Sequence, residues 1–202
     1  MIVDYDAGNL HSVAKAASIS GLDGFVSGRA QDMERAAGLI LPGVGAFGDC
    51  MAHLGERDLI EPLRRWIGAG RPLLGICLGL QVLFEWGEEG SGSPGLGVLP
   101  GVVRRIQADG RKIPHMGWNA LRFSRPSSLF DGIEEGSYVY FVHSFHAVPA
   151  RAENILATTD YGEEVTAAVG AGQLFGVQFH PEKSSAVGQR ILRNFGRICQ
   201  GG

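Results

Sequence analysis

The sequence holds only three cysteines, Cys50, Cys77 and Cys199, widely spaced and odd in number. That excludes a disulfide framework or a CxxC-type zinc site, and it suits a reducing cytoplasm. No uninterrupted apolar run approaches the ~20 residues that a membrane-spanning helix requires, so no membrane partner is expected. The chain opens Met1-Ile2-Val3-Asp4-Tyr5-Asp6, with acid at once and no cationic stretch leading an apolar run, so no signal peptide is expected. Blocks of charge are missing as well. The 18 basic and 21 acidic residues give a formal net charge of −3 and do not cluster, which argues against nucleic acid or an anionic membrane as partner. No fixed period recurs, so collagen and solenoid repeats are out.

What the sequence has in excess is glycine. There are 31 among 202 residues, roughly twice the average share, and many stand at the ends of short apolar runs. Such positions suit tight turns or close backbone approach. With 45% hydrophobic and 19% charged residues, the chain reads as one globular domain spanning 1–202, large enough to need no staple.

Met1-Ile2-Val3, Leu39-Ile40-Leu41 and Leu73-Leu74-Gly75-Ile76 are continuous apolar runs. Between them, Asn9 precedes Leu10, Val13, Ala14 and Ala17 as a helix cap would. Leu59, Ile60, Leu63, Trp66 and Ile67 also recur at helical spacing, up to a stop between Gly68 and Pro72. Continuous strands alternating with amphipathic helices indicate a parallel sheet covered on both faces. Beyond about residue 95, segments 98–106, 112–123, 138–148, 155–159, 165–169 and 174–179 read as strands with short turns, which adds antiparallel strands. A closing helix carries Val187, Ile191, Leu192, Phe195 and Ile198, and Gly87 to Gly97 reads as a flexible surface loop.

Three segments carry chemistry. In Gly75-Ile76-Cys77-Leu78-Gly79-Leu80-Gln81 an apolar strand ends, and Leu80, Val82, Leu83 and Phe84 begin a helical pattern. Cys77 therefore falls on a strand-to-helix turn with glycine two residues away on each side, the cysteine counterpart of a nucleophile elbow. A helix N-terminus there favours the thiolate and offers free N–H groups to an oxyanion. Most free cysteines are buried packing residues, and Cys50 and Cys199 read that way. The second segment, Val177-Gln178-Phe179-His180-Pro181-Glu182, ends an apolar strand, so His180 lies at the carboxyl edge of the sheet, with Glu182 near enough to orient its ring. A lone histidine at a strand end is more often structural, so this segment alone proves little. The third, Pro42-Gly43-Val44-Gly45-Ala46-Phe47-Gly48, matches neither a dinucleotide nor a phosphate loop. It is able to present an N–H to an oxyanion, or to be a plain turn.

Together these segments resemble the class I, triad-type glutamine amidotransferases, over nearly the whole chain. The resemblance implies a flavodoxin-like α/β fold with a mostly parallel central sheet, helices on both faces and added antiparallel strands in the second half. It implies Cys77 as nucleophile, His180 as base and Glu182 as orienter, with no cofactor and no metal. The oxyanion would be held by the Leu78 N–H and, after a peptide rearrangement, by an N–H of Val44-Gly45. The L-glutamine backbone would be held partly by Gly79, Gln81 and Ser144-Phe145.

Four further matches narrow the resemblance to the histidine-biosynthetic branch of that family: Asp4 to Leu10, Pro42 to Phe47, Pro114 to Asn119, and His180 to Ser185. In that branch a cyclase partner with a (β/α)8-barrel, bound as a heterodimer, uses the ammonia to close an imidazole ring. Asn9, Trp118, Tyr140 and Lys183 are then expected at the interface or the ammonia passage, although Tyr140 also reads as a plain strand aromatic and Lys183 as a solvated charge. Asp6 departs from the usual glycine, and Phe145-His146 from a tyrosine-rich pair. A stand-alone γ-glutamyl hydrolase or other cysteine hydrolase on the same elbow is the alternative reading, and a non-catalytic domain that kept the fold is another.

Overall fold

The continuous apolar runs pair side by side. The computed structural model describes residues 1–201, and its main sheet has eight strands. Their order is Val26–Ser27, Ile2–Val3, Leu39–Gly43, Leu73–Cys77, Leu174–Val177, Glu164–Ala171, Ile155–Asp160 and Arg122–Phe123. The first five are mutually parallel and the rest pair antiparallel. Leu174–Val177, which the sequence groups with the later antiparallel strands, pairs parallel with Leu73–Cys77 on one side and antiparallel only on the other, and Val26–Ser27 is a strand that the sequence does not mark.

Every residue of Leu39–Gly43 and Leu73–Cys77 is buried, which is why these runs do not alternate. Their side chains feed two cores in turn. Leu39, Leu41 and Leu73 pack with Phe47, Leu54 and Leu63, which belong to helices Phe47–Glu56 and Ile60–Gly68. Ile40, Leu74 and Ile76 join Val13 and Ala17 of helix Leu10–Ile19, and Ile191, Leu192 and Phe195 of helix Ser185–Cys199. Helices therefore cover both faces. At ~1.5–3 kcal/mol per fully buried large side chain, this packing outweighs local helix propensity. Asn9 caps the first helix, its Oδ1 accepting from Ser12 N at 3.3 Å.

Four other sequence expectations are corrected. The helix after Cys77 is a single turn, Leu78–Gln81, and Phe84–Gly87 is a strand. Val82, Leu83 and Phe84 are all fully buried, so no exposed face marks a period that would separate helix from strand. The Gly87 to Gly97 segment is no free loop, because Ser93–Pro94 pairs back onto Phe84–Gly87 as a hairpin within a small four-stranded sheet. The run 138–148 divides at Ser144. Tyr138–His143 pairs with His115–Ala120 in a two-stranded ribbon, while Phe145–Pro149 pairs with Leu99–Arg105 in the four-stranded sheet. Likewise, 112–123 divides at Leu121 between the ribbon and the edge strand Arg122–Phe123 of the main sheet.

Candidate active site

The parallel strands Leu39–Gly43, Leu73–Cys77 and Leu174–Val177 end together, so the segments that follow them meet at one carboxyl edge of the sheet. A cavity of about 320 Å³ opens there, at the small end of small-molecule sites. Val44, Gly45, Cys77, Leu78, Ser144 and His180 are among the residues that line it.

Cys77 has φ 55° and ψ −110°, a backbone region that residues with a side chain rarely adopt. Two flanking glycines make this turn possible. A Cβ on Gly79 would overlap the Leu41 carbonyl, and one on Gly75 would overlap Gly79 O. The elbow thus presses against its own strand and the neighbouring one, with no room for a methyl group. Gly79 is not on the cavity wall; its visible part is this close packing. Leu78 opens the short helix, and the first N–H groups of a helix have no intrahelical acceptor. Gly45 takes φ +97° in the facing turn, with Val44 exposed beside it.

His180 lies directly beyond the Leu174–Val177 strand. Its Nδ1 faces Glu182 Oε1 at 2.8 Å, and its Nε2 is buried without a hydrogen-bond partner. Burial alone pushes the imidazole pKa down. Cys77 and Glu182 together outweigh it and raise the pKa to about 9. Chemically, such an arrangement can offer a nucleophile on a strained turn, an imidazole to take its proton, and a carboxylate to hold the imidazole in place.

Gln81, Phe145 and Lys183 also line the cavity. Gln81 Nε2 donates to Phe145 O at 2.9 Å and to Gln178 Oε1 at 3.0 Å, which leaves only its Oε1 for a substrate. Lys183 Nζ sits 5.7 Å from the centre of the Tyr140 ring, which meets Trp118 edge-on at 6.1 Å. Tyr140, Trp118 and Asn9 lie off the cavity. Trp118, with Met116 and Tyr138, forms an apolar surface on the two-stranded ribbon, and these three side chains are 50–60% exposed.

The sequence reading missed three residues of this site. Glu89 lines the cavity and accepts from Phe47 N at 2.8 Å, which ties the hairpin to the Gly-rich turn. His143 also lines it, and burial pushes its pKa down to about 3. Gln178 contacts Cys77 directly. Gln178 stands just past the Leu174–Val177 strand and two residues before His180, and its place in that segment is the one signal the sequence offers for it. Nothing in the sequence marks Glu89, which reaches the site through a strand pairing. Among the described residues no group of three or more His, Cys, Asp or Glu is arranged to hold a metal ion.

Comparison with known proteins agrees with this geometry. The family model described as glutamine amidotransferase class-I matches residues 5–199. The chain is 51% identical over 199 residues to the imidazole glycerol phosphate synthase subunit HisH of Moorella thermoacetica, covering 98% of this chain and 94% of that one. It is 49% identical over 205 residues to the protein of the same name from Geobacillus kaustophilus, covering 99% and 97%. Among solved structures, PurLQS from Thermotoga maritima superposes with a TM-score of 0.77 at 21% identity, over 98% of this chain and 96% of that one. A structure described as glutamine amidotransferase gives 0.75 at 22% identity, over 98% and 97%. These two likenesses speak for the fold alone.

Proposed function

The chain belongs to the class I glutamine amidotransferase family, and from that premise we propose that it is the glutaminase subunit of an imidazole glycerol phosphate synthase. It hydrolyses L-glutamine to glutamate and ammonia for a cyclase partner. The observation that carries this reading is the joint placement of Cys77, on its positive-φ turn, and His180, backed by Glu182, in one small cavity. The names of relatives near 50% identity over almost the whole chain supply the pathway.

In this reading Cys77 first passes its thiol proton to His180, and the thiolate Sγ attacks the carboxamide carbon of glutamine. The carbonyl oxygen becomes an oxyanion, stabilised by the Leu78 N–H and, once a peptide turns, by an N–H of Val44-Gly45. One such donor is worth ~3 kcal/mol, about a hundredfold or more in rate. His180 returns the proton to the departing nitrogen, and ammonia leaves a thioester on Cys77. Water, deprotonated by His180, then cleaves the thioester to glutamate and restores the thiol. Glu182 holds the ring throughout and stabilises the imidazolium. The α-ammonium of glutamine meets Gln81 Oε1 and Glu89, and the Ser144-Phe145 segment closes on the same end.

The partner is a cyclase with a (β/α)8-barrel fold that uses the ammonia to form imidazole glycerol phosphate and the purine precursor AICAR. It docks on the Met116, Trp118 and Tyr138 surface, with Tyr140 and Lys183 beside the ammonia's exit and Asn9 at the rim. A cytoplasmic location suits the free thiols. Glutamate release, measured with and without such a cyclase and its nucleotide substrate, tests this. Strong stimulation by both is expected. Full turnover by the isolated chain would instead favour a stand-alone γ-glutamyl hydrolase.

A further inference from the structure

The backbone carbonyl of Phe145 is the common acceptor of two side chains, His143 Nδ1 at 2.8 Å and Gln81 Nε2 at 2.9 Å. A carbonyl oxygen only accepts, so both side chains must donate, and that requirement sets the polarity of everything bonded behind them. On one arm His143 keeps its proton on Nδ1 and offers Nε2 as an acceptor. His115 Nδ1, 3.0 Å away, is then the donor, and His115 Nε2 accepts from Asn119 Nδ2 at 3.2 Å. Both imidazoles are neutral in this chain, which matches the burial that pushes the pKa of His115 down to about 4 and of His143 to about 3.

On the other arm the Gln81 amide must turn its NH2 toward Phe145, and the same NH2 reaches Gln178 Oε1 at 3.0 Å. Gln178 is fully buried, and with its oxygen committed to Gln81 its NH2 points at Cys77 Sγ, 3.6 Å away. A flip of either amide would set oxygen against oxygen or NH2 against NH2, at the ~1–3 kcal/mol cost of an unpaired buried polar group.

Resting on the glutaminase reading, we propose that Gln178 belongs to the catalytic machinery, donating an amide N–H to the Cys77 sulfur so as to favour the thiolate. Gln81 is a positioning residue that hands on the polarity dictated by the Phe145 carbonyl. A thiol is a weak acceptor and a thiolate a strong one, so this bond tightens as the proton leaves. The sulfur then has His180 as its proton acceptor and Gln178 as its hydrogen-bond donor. The other ionisable groups around it are Glu182 behind His180, Tyr5, and Glu89, His143 and Lys183 on the cavity wall.

The test is iodoacetamide alkylation of Cys77 in the full chain across pH, read by mass spectrometry of the Cys77 peptide. Buried Cys50 in the same digest stays unmodified in any variant that has folded. Gln178→Met, which keeps the length and loses the donor, is expected to raise the midpoint by about one pH unit, a tenfold slower reaction below it. Gln178→Glu, which sets a carboxylate against the sulfur, raises it further, and Gln81→Met raises it less. An unmoved midpoint in folded Gln178→Met or Gln178→Glu overturns the proposal. Glutamate release with an unmoved midpoint would reject this role and keep the glutaminase reading. A moved midpoint in a chain that never releases glutamate would do the reverse.

Discussion

Glu182 Oε1 stands 2.8 Å from His180 Nδ1, although only Pro181 separates the two residues in sequence. The single 3-10 turn Pro181–Lys183 brings them together. The ribbon holds that turn in place: His180 N donates to Tyr140 O at 2.9 Å, and the Ser184 hydroxyl accepts from Tyr140 N at 3.0 Å while donating to His180 O at 2.7 Å. With Nδ1 committed to the carboxylate, Nε2 is the nitrogen left to exchange a proton with Cys77.

Replacing Glu182 by Gln keeps the shape and removes the charge that secures the donating Nδ1–H. The expected result is a fall in kcat of about 10²–10⁴-fold with a smaller change in KM. Steady-state glutamate release with the partner present measures the split.

The raised pKa of His180 also links stability to pH. Its contribution is fully present below about 6.5, the ordinary value, and is lost as pH rises through about 9. Its magnitude is on the order of 3 kcal/mol at most. Cys77→Ala removes one of the two partners that raise the pKa, so the His180 midpoint falls and the decline in stability above neutral pH becomes shallower. An NMR titration of the His180 ring, with urea unfolding at pH 6 and pH 9, checks both. An unshifted ring in Cys77→Ala would sink the pairing.

Gly79→Ala forces a methyl group onto the Leu41 carbonyl, a backbone atom that cannot swing aside. A loss of about 1–3 kcal/mol is expected, together with displacement of the elbow. Thermal unfolding measures the first, and Cys77 alkylation at fixed pH the second.

His115 and His143 are expected to be Nδ1–H tautomers that stay neutral well below pH 6, visible in nitrogen-15 spectra of the rings. Their depressed pKa values carry the opposite linkage from His180. The unfolded chain binds their protons near pH 6.5, while the folded chain resists until about pH 4 for His115 and about pH 3 for His143, so stability falls as pH drops. Replacing both with Phe should flatten that acid limb.

Trp118 is half exposed on the ribbon, so Trp118→Ala should leave the unfolding temperature nearly unchanged. Binding to the cyclase should weaken tenfold or more if Trp118 anchors the interface. Calorimetric titration of the two subunits decides it, and unchanged affinity would move the interface elsewhere.

The parallel half was legible as a kind of sheet, though not in its strand order, because Leu39–Gly43 and Leu73–Cys77 are buried on both faces, which writes an unbroken apolar run into the sequence. The elbow was legible because a side chain at that φ needs glycines around it. Tertiary structure decided what depends on the choice of partner. The runs across Ser144 and Leu121 each look continuous, yet each passes from one sheet to another, because apolar alternation records which face is buried and not which strand lies alongside. Glu89 reaches the cavity only because a hairpin folds onto the Gly-rich turn. Gln178 faces the sulfur only because a carbonyl on another strand dictates which way two amides turn. Local sequence records burial and turn chemistry, whereas the direction of a hydrogen bond is set by whichever fixed donor or acceptor the fold brings to its far end.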